Sequence, residues 1–200
     1  MAIRMPTVLI VLGFAAGCAA SSQTTPTHLA RKIAILPVNN RTGDPLEVAG
    51  VGPIDRYVLR SEAITLADVL RSEARSQLEN NGFEVSPSRG VDSALKGRAP
   101  ADLASALDLA ADGGLGPLCL YMEIRRWEAD APMHPKHVIV ALSASLFDSS
   151  TRKVVWQVER RPSPVPTVGV VMMEAAYVDA ARKVIEQVLG RLRPESPVAR

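Results

Sequence analysis

The sequence predicts an α/β fold of the α+β kind: a mixed sheet that ends in an antiparallel meander, with helices packed on it. Three observations carry this prediction. Residues 32–38, KIAILPV, form a compact run rich in β-branched residues, the pattern of an interior strand. Two later segments and the last one repeat apolar residues at helical spacing. Between them stand runs that alternate apolar and polar residues, as strands with one face on a core do. Together they imply the order β-α-β-α-β-β-β-α.

The first strand is followed by Asn39-Asn40-Arg41-Thr42-Gly43-Asp44-Pro45, which is turn chemistry. Residues 46–60 read as a long loop with Gly50, Gly52 and Pro53. A helix then starts at Ser61 or Thr65 and ends at Asn81. Leu66, Val69, Leu70, Ala74 and Leu78 make its apolar face. Thr65 with Asp68 resembles a capping box, and Gly82 suits the left-handed residue that closes a helix. Residues 83–85 start a second strand. Residues 100–112 read as a second helix, stopped by Gly113, Gly114, Gly116 and Pro117. The third strand, 118–127, places Leu118, Leu120, Met122 and Ile124 on one face. The fourth, 137–147, does so with Val138, Val140, Leu142, Ala144 and Leu146. The fifth, 153–159, groups Val154, Trp156 and Val158, and the short polar link before it makes strands four and five a hairpin. A last helix over 172–192 buries Tyr177, Ala181, Val184, Val188 and Leu192.

Two hundred residues with 47% hydrophobic and 22% charged content suit one globular domain and exclude a mainly disordered chain. A formal charge of +2 is too small for the basic stripe of a nucleic-acid binder, so no nucleic acid is expected. Only three His and two Cys are present, and no cofactor or metal is expected. His134 and His137, in HPKH, have metal-like spacing without further ligands and read as a solvated loop.

The N-terminus carries the sharpest signal. Arg4 precedes the apolar run TVLIVLGFAA at 7–16, and Ala15-Ala16-Gly17-Cys18 follows. A basic start, a short apolar stretch and small residues at a cleavage point define a secretory signal. The last four residues resemble the lipobox of bacterial lipoproteins, with Ala15 where Leu is commonest. That resemblance implies cleavage before Cys18 and a diacylglyceride on its thiol. An ordinary cleaved signal or an uncleaved anchor is the alternative. Ala19 after the cysteine implies, by the sorting pattern of Gram-negative lipoproteins, delivery to the outer membrane on its periplasmic face. The expected organisation is a signal at 1–17, a lipid-anchored tether at 18–30, a domain at 31–193 and a flexible tail at 194–200. With Cys18 acylated, Cys119 has no partner and reads as a small buried hydrophobe.

Two further strings resemble one group of envelope lipoproteins. Pro37, Asn39, Asn40, Thr42 and Gly43 match a first strand ending in Pro-Phe/Val-x-Asn-x-Thr/Ser-Gly. Asp148, Thr151 and Trp156 match a hairpin of the type Asp-x-x-Thr-Gly-x-x-hydrophobic-Trp, with Arg152 replacing its Gly. The group includes CsgG, LpoB and the N-terminal domain of TolB. The resemblance implies an outer-membrane lipoprotein with an α/β domain, and its members have different roles.

Candidate functional residues are therefore argued one by one. Asn39, Asn40 and Asp44 lie beyond the first strand, where open α/β sheets bind ligands, although local turn bonding explains them better. A meander would gather Arg125, Arg126, Lys136, His137, Arg160 and Arg161 at one edge, a candidate anion surface. Tyr57, Arg60, Arg125, Arg126, Trp127, Arg160 and Arg161 are the candidate partner surface, because binding energy concentrates in aromatic and Arg positions. Met172, Met173 and residues 168–171 suit either an apolar partner patch or helix-start packing, the latter preferred. No GxGxxG, P-loop or GxSxG motif occurs, so no catalytic residue is assigned. The leading expectation is a non-enzymatic envelope lipoprotein that binds envelope proteins as an accessory factor in assembly, secretion or cell-wall processes. An accessory lipoprotein of an envelope transport system and a periplasmic enzyme are the alternatives, and homo-oligomerisation stays open.

Overall fold

The computed structural model describes residues 29–48 and 64–194. The elements are β1 (Lys32–Ile35), β2 (Asn39–Asn40), α1 (Leu66–Asn80), β3 (Glu84–Val85), α2 (Ser88–Ala94), α3 (Leu103–Asp112), β4 (Leu118–Ala129), β5 (His137–Asp148), β6 (Lys153–Pro166) and α4 (Met173–Leu189). They build one sheet in the order β3-β1-β4-β5-β6, with β2 also paired to β4. β1 is parallel to β3 and β4, whereas β4, β5 and β6 form the antiparallel meander. This is the mixed α+β architecture that the hydrophobic periodicities imply.

The sheet is covered on both faces. α1 and α4 pack on the face that carries Ile33, Leu120, Met122, Ile124, Val140, Leu142 and Leu146. α2 and α3 pack on the other face, over Ala34, Leu36, Cys119, Tyr121 and Phe147. Burial of this many large aliphatic side chains, each contributing about 1.5–3 kcal/mol, is what offsets the chain entropy.

Local chemistry sets the helix ends. Thr65 caps α1: its hydroxyl accepts from the Asp68 N–H (3.3 Å), and the Asp68 carboxylate accepts from the Thr65 N–H (3.1 Å). Beyond α1, Gly82 sits at φ +95°, which lets the Phe83 N–H reach the Leu78 carbonyl at 3.0 Å. α3 starts at Leu103 rather than Pro100, because Asp102 takes the capping position with Ser105 as its reciprocal partner.

Four features depart from the sequence reading. α2 is absent from it, since the segment is too short and polar to show a periodic stripe. Asn39 and Asn40 pair with Glu123 and Ile124 as β2 instead of forming only a turn. β6 continues through Pro162, Pro164 and Pro166 to a length of 14 residues. Among the described residues it is an edge strand paired only with β5, so the missing proline N–H groups cost no ladder bond on an outer side. Val154 is exposed while Trp156 and Val158 are buried. The register slips between Val154 and Trp156, and this bulge takes Val154 off the core face.

Candidate interaction surface

Cys18, Tyr57 and Arg60 lie outside the described residues. The remaining candidates divide between the two sheet faces and the core, and a bulge in β4 decides where each goes. Ile124 pairs with Leu142 and Arg126 with Ala141, so Arg125 is an extra residue in the strand. Before the bulge even-numbered residues face α1 and α4. After it the parity is inverted. Arg125 and Arg126 are consequently both exposed, and Trp127 is turned into the main core.

Trp127 is only 1% exposed, so the reading of this residue as a surface anchor is corrected. Arg160 also leaves the expected cluster. It pairs with Leu142, whose side chain is in the α4-side core, and its Nη1 donates to Gln187 of α4 at 2.7 Å. Burial pulls the Arg160 guanidinium below its ordinary pKa. Arg161 is exposed. Lys136 and His137 sit at the end of the sheet, where His137 pairs with Pro166 and its Nδ1 lies 3.4 Å from Asp130. β4 runs on past Arg126 to Ala129, which pairs with Val138, whereas Arg126 pairs with Ala141; Lys136 and His137 therefore stand further along the sheet than Arg125 and Arg126, and the single basic edge does not form.

A different gathering takes its place. A cleft of about 510 Å³ lies between the loop at 41–44, the β4 stretch 125–129 and Tyr177. It unites Asp44 with Arg125 and Arg126, which are 81 or more positions apart in sequence. Its guanidinium groups are paired. Arg125 Nε donates to Glu123 Oε1 at 2.9 Å, and its Nη1 bonds Glu159 across β5. Arg126 Nη2 reaches Glu128 at 2.7 Å, and Arg41 Nη1 lies 3.7 Å from Glu123. Glu123 is buried, so these guanidinium groups supply its counter-charge.

The first loop is a network of its own. Asn39 Nδ2 donates to the Ala101 carbonyl (2.6 Å) and to Tyr121 Oη (3.2 Å), and the Tyr121 hydroxyl donates to Glu123 Oε2 (3.2 Å). Burial pushes the Tyr121 hydroxyl up to about 12. Asn40 Oδ1 accepts from the Thr42 N–H (3.1 Å) and hydroxyl (2.8 Å), its Nδ2 donates to the Asp44 carbonyl (2.6 Å), and Asp44 Oδ1 accepts from the Leu46 N–H (2.9 Å). Asn39 thus ties β2 to the approach to α3, and Asn40 and Asp44 hold the turn. That is the local bonding expected of Asn and Asp in turns. Cys119 is buried, and burial first, then the charge of Asp148, pushes its thiol up to about 12.

No protein-family model matches the chain, and no curated protein matches it. Solved structures do. A PelC dodecamer from Paraburkholderia phytofirmans is similar over 86% of this chain and 96% of its own, with 19% identity and a TM-score of 0.50. Lipoprotein GNA1162 from Neisseria meningitidis is similar over 81% of this chain and 99% of its own, with 16% identity and a TM-score of 0.48. The C-terminal domain of LpoB from Salmonella enterica is similar over 70% of this chain and 85% of its own, with 16% identity and a TM-score of 0.42. The domain shares its fold with that PelC structure. At these identities the likeness concerns fold alone.

Sequence reasoning missed two things. The cleft needed the β4 bulge, which leaves no mark in a run such as EIRRWEA beyond the Arg-Arg-Trp step. The other is an apolar tip at Met133, whose partner loop at 168–172 was legible and whose own loop was not.

Proposed function

We propose that this chain is a lipid-anchored envelope lipoprotein, attached through Cys18 to the periplasmic face of the outer membrane. It acts without catalysis, by binding other envelope proteins as an accessory factor. The observation that carries the reading is the Ala-Ala-Gly-Cys ending of the N-terminal signal, joined to a domain of the fold described above. The cleft at Asp44, Arg125 and Arg126 supports the binding role, because it presents preorganised guanidinium and carboxylate groups that can exchange partners with a docking protein. The likeness to a PelC dodecamer supports self-assembly as part of that role.

The test has two arms. Wild-type protein labels with palmitate in cells and enters the detergent phase, and Cys18→Ser abolishes both. Wild-type protein that stays aqueous and unlabelled sinks the anchor. For binding, Arg126→Glu is the informative variant. Arg125 neutralises buried Glu123, so its reversal would damage the fold, whereas Arg126 pairs, among the described residues, with exposed Glu128 alone. Arg126→Glu should weaken recovery of envelope partners at least several-fold with an unchanged circular dichroism spectrum. Unchanged recovery removes the cleft from the proposal.

A further inference from the structure

β4 outruns the strands on one side of it. It has 12 residues, whereas β1 has 4 and β2 has 2. On that side β1 pairs with Leu118, Cys119 and Leu120, and β2 pairs with Glu123 and Ile124. The last bond runs from the Arg41 N–H to the Ile124 carbonyl, at 2.9 Å. The chain then turns away through residues 41–44. Beyond that point, among the described residues, β4 is paired with β5 alone.

The register fixes which backbone groups this leaves open. In an antiparallel pair, successive residues direct their N–H and C=O alternately toward the partner strand and away from it. The Asp130 N–H donates to the His137 carbonyl at 3.2 Å, so Asp130 is directed at β5. From Arg126 with Ala141 to Ala129 with Val138 the pairing has no slip. Glu128 and Arg126 are therefore directed at β5 as well, and Trp127 and Ala129 are directed away from it, into the cleft they border. The Ala129 N–H meets the Tyr177 hydroxyl there. The Trp127 N–H, the Trp127 carbonyl and the Ala129 carbonyl have no backbone partner among the described residues.

An open strand edge is a template for another strand. The groups left open here select an extended polypeptide. The two carbonyls stand about 7 Å apart along the edge, the two-residue repeat of an extended chain. The side chains select a guest without net charge. The guanidinium groups of Arg41, Arg125 and Arg126 stand against the carboxylates of Glu123, Glu128 and Asp44, so the cleft offers no surplus charge to an anion or a cation. Trp127 holds one donor more: its indole Nε1 is buried and has no partner among the described residues. We propose that the β4 edge at Trp127–Ala129 receives an extended segment of a partner protein, which joins the sheet as a short strand beyond the end of β2. Main-chain bonds give such a complex its affinity. The inference deepens the binding role proposed for this cleft and rests on it, and it is independent of the lipid anchor.

The test selects binders of the full-length chain, held in detergent, from a phage-displayed library of random linear peptides. An enriched peptide is then synthesised with its backbone amides N-methylated one at a time. Methylation should weaken binding at every second position, by about three- to tenfold each, as the loss of one hydrogen bond does, and should be tolerated at the positions between. The Trp127 amide should exchange its hydrogen rapidly in the free chain and at least about tenfold more slowly with the peptide bound. A library without binders that protect Trp127, N-methylation without alternation, or a Trp127 amide already protected in the free chain each overturns the proposal. Arg126→Glu keeps this failure apart from that of the wider reading. Partner recovery that falls with Arg126→Glu, beside peptides indifferent to N-methylation, retains the cleft as a surface and removes strand addition.

Discussion

At the scale of single residues, the bulge at Arg125 separates neighbours of opposite fate. Trp127 is among the largest fully buried side chains, and Arg126 beside it is exposed. Trp127→Ala should lower stability by about 3–5 kcal/mol, as large-to-small core changes do. Arg126→Ala should stay within about 0.5 kcal/mol. Urea midpoints of the two variants check both. Cys119 gives a prediction in pH. Its thiol is pushed up to about 12 in the folded domain from an ordinary 9.0. A group raised on folding contributes stability below its unfolded pKa and loses it as pH climbs toward the folded one. Stability should therefore fall between about pH 9 and 12, by up to about 1.4 kcal/mol per pH unit for this one proton. Cys119→Ala should flatten that part of the curve. An unchanged slope in urea titrations across the range removes Cys119 as its source.

Elements are held together by a few long-range polar contacts that no periodicity announces. Asn81, just past α1, donates through Nδ2 to the carbonyl of Leu189 at the end of α4, at 2.8 Å in a buried setting. The bond locks the C-terminal ends of the two helices on the same sheet face. Asn81→Ala should cost about 1–3 kcal/mol, because it leaves a buried carbonyl without a partner. Hydrogen exchange should show the loss first in the last turn of α4, whereas protection lost evenly across the domain would contradict a local lock. Arg71 does similar service on the other side: Nε and Nη2 donate to the Ile35 carbonyl at 3.2 and 2.9 Å, and Nη1 reaches Asp92 of α2 at 3.1 Å. One guanidinium thereby ties α1, β1 and α2 together.

For the whole molecule, the exposed edge of the sheet is the feature that decides association. β6 is long and, among the described residues, unpaired on its outer side, a template for edge-to-edge pairing. Pro162, Pro164 and Pro166 remove three backbone donors from its second half. Replacing Pro162 and Pro164 by Val should restore donors and raise self-association. Light scattering should detect larger species at concentrations where the parent is unchanged. Equal scattering from both would show that the prolines do not guard the edge.

Much of the architecture was legible because hydrophobic spacing is a local property. The apolar face of α1, its Thr65–Asp68 cap, the β5 face at Val138–Leu146 and the buried stripe of α4 at Tyr177, Ala181 and Val184 all follow from side-chain direction at fixed period. The candidate sites were less so. Which face Arg125, Trp127, Val154 and Arg160 take depends on bulges, and a one-residue slip inverts every later side chain. Bulges are settled by the partner strand and the layers above it. The same holds for the cleft that joins Asp44 to Arg126 and for the tip that joins Met133 to Met172. Their members are distant in sequence, and only the packing of α4 and the meander brings them together.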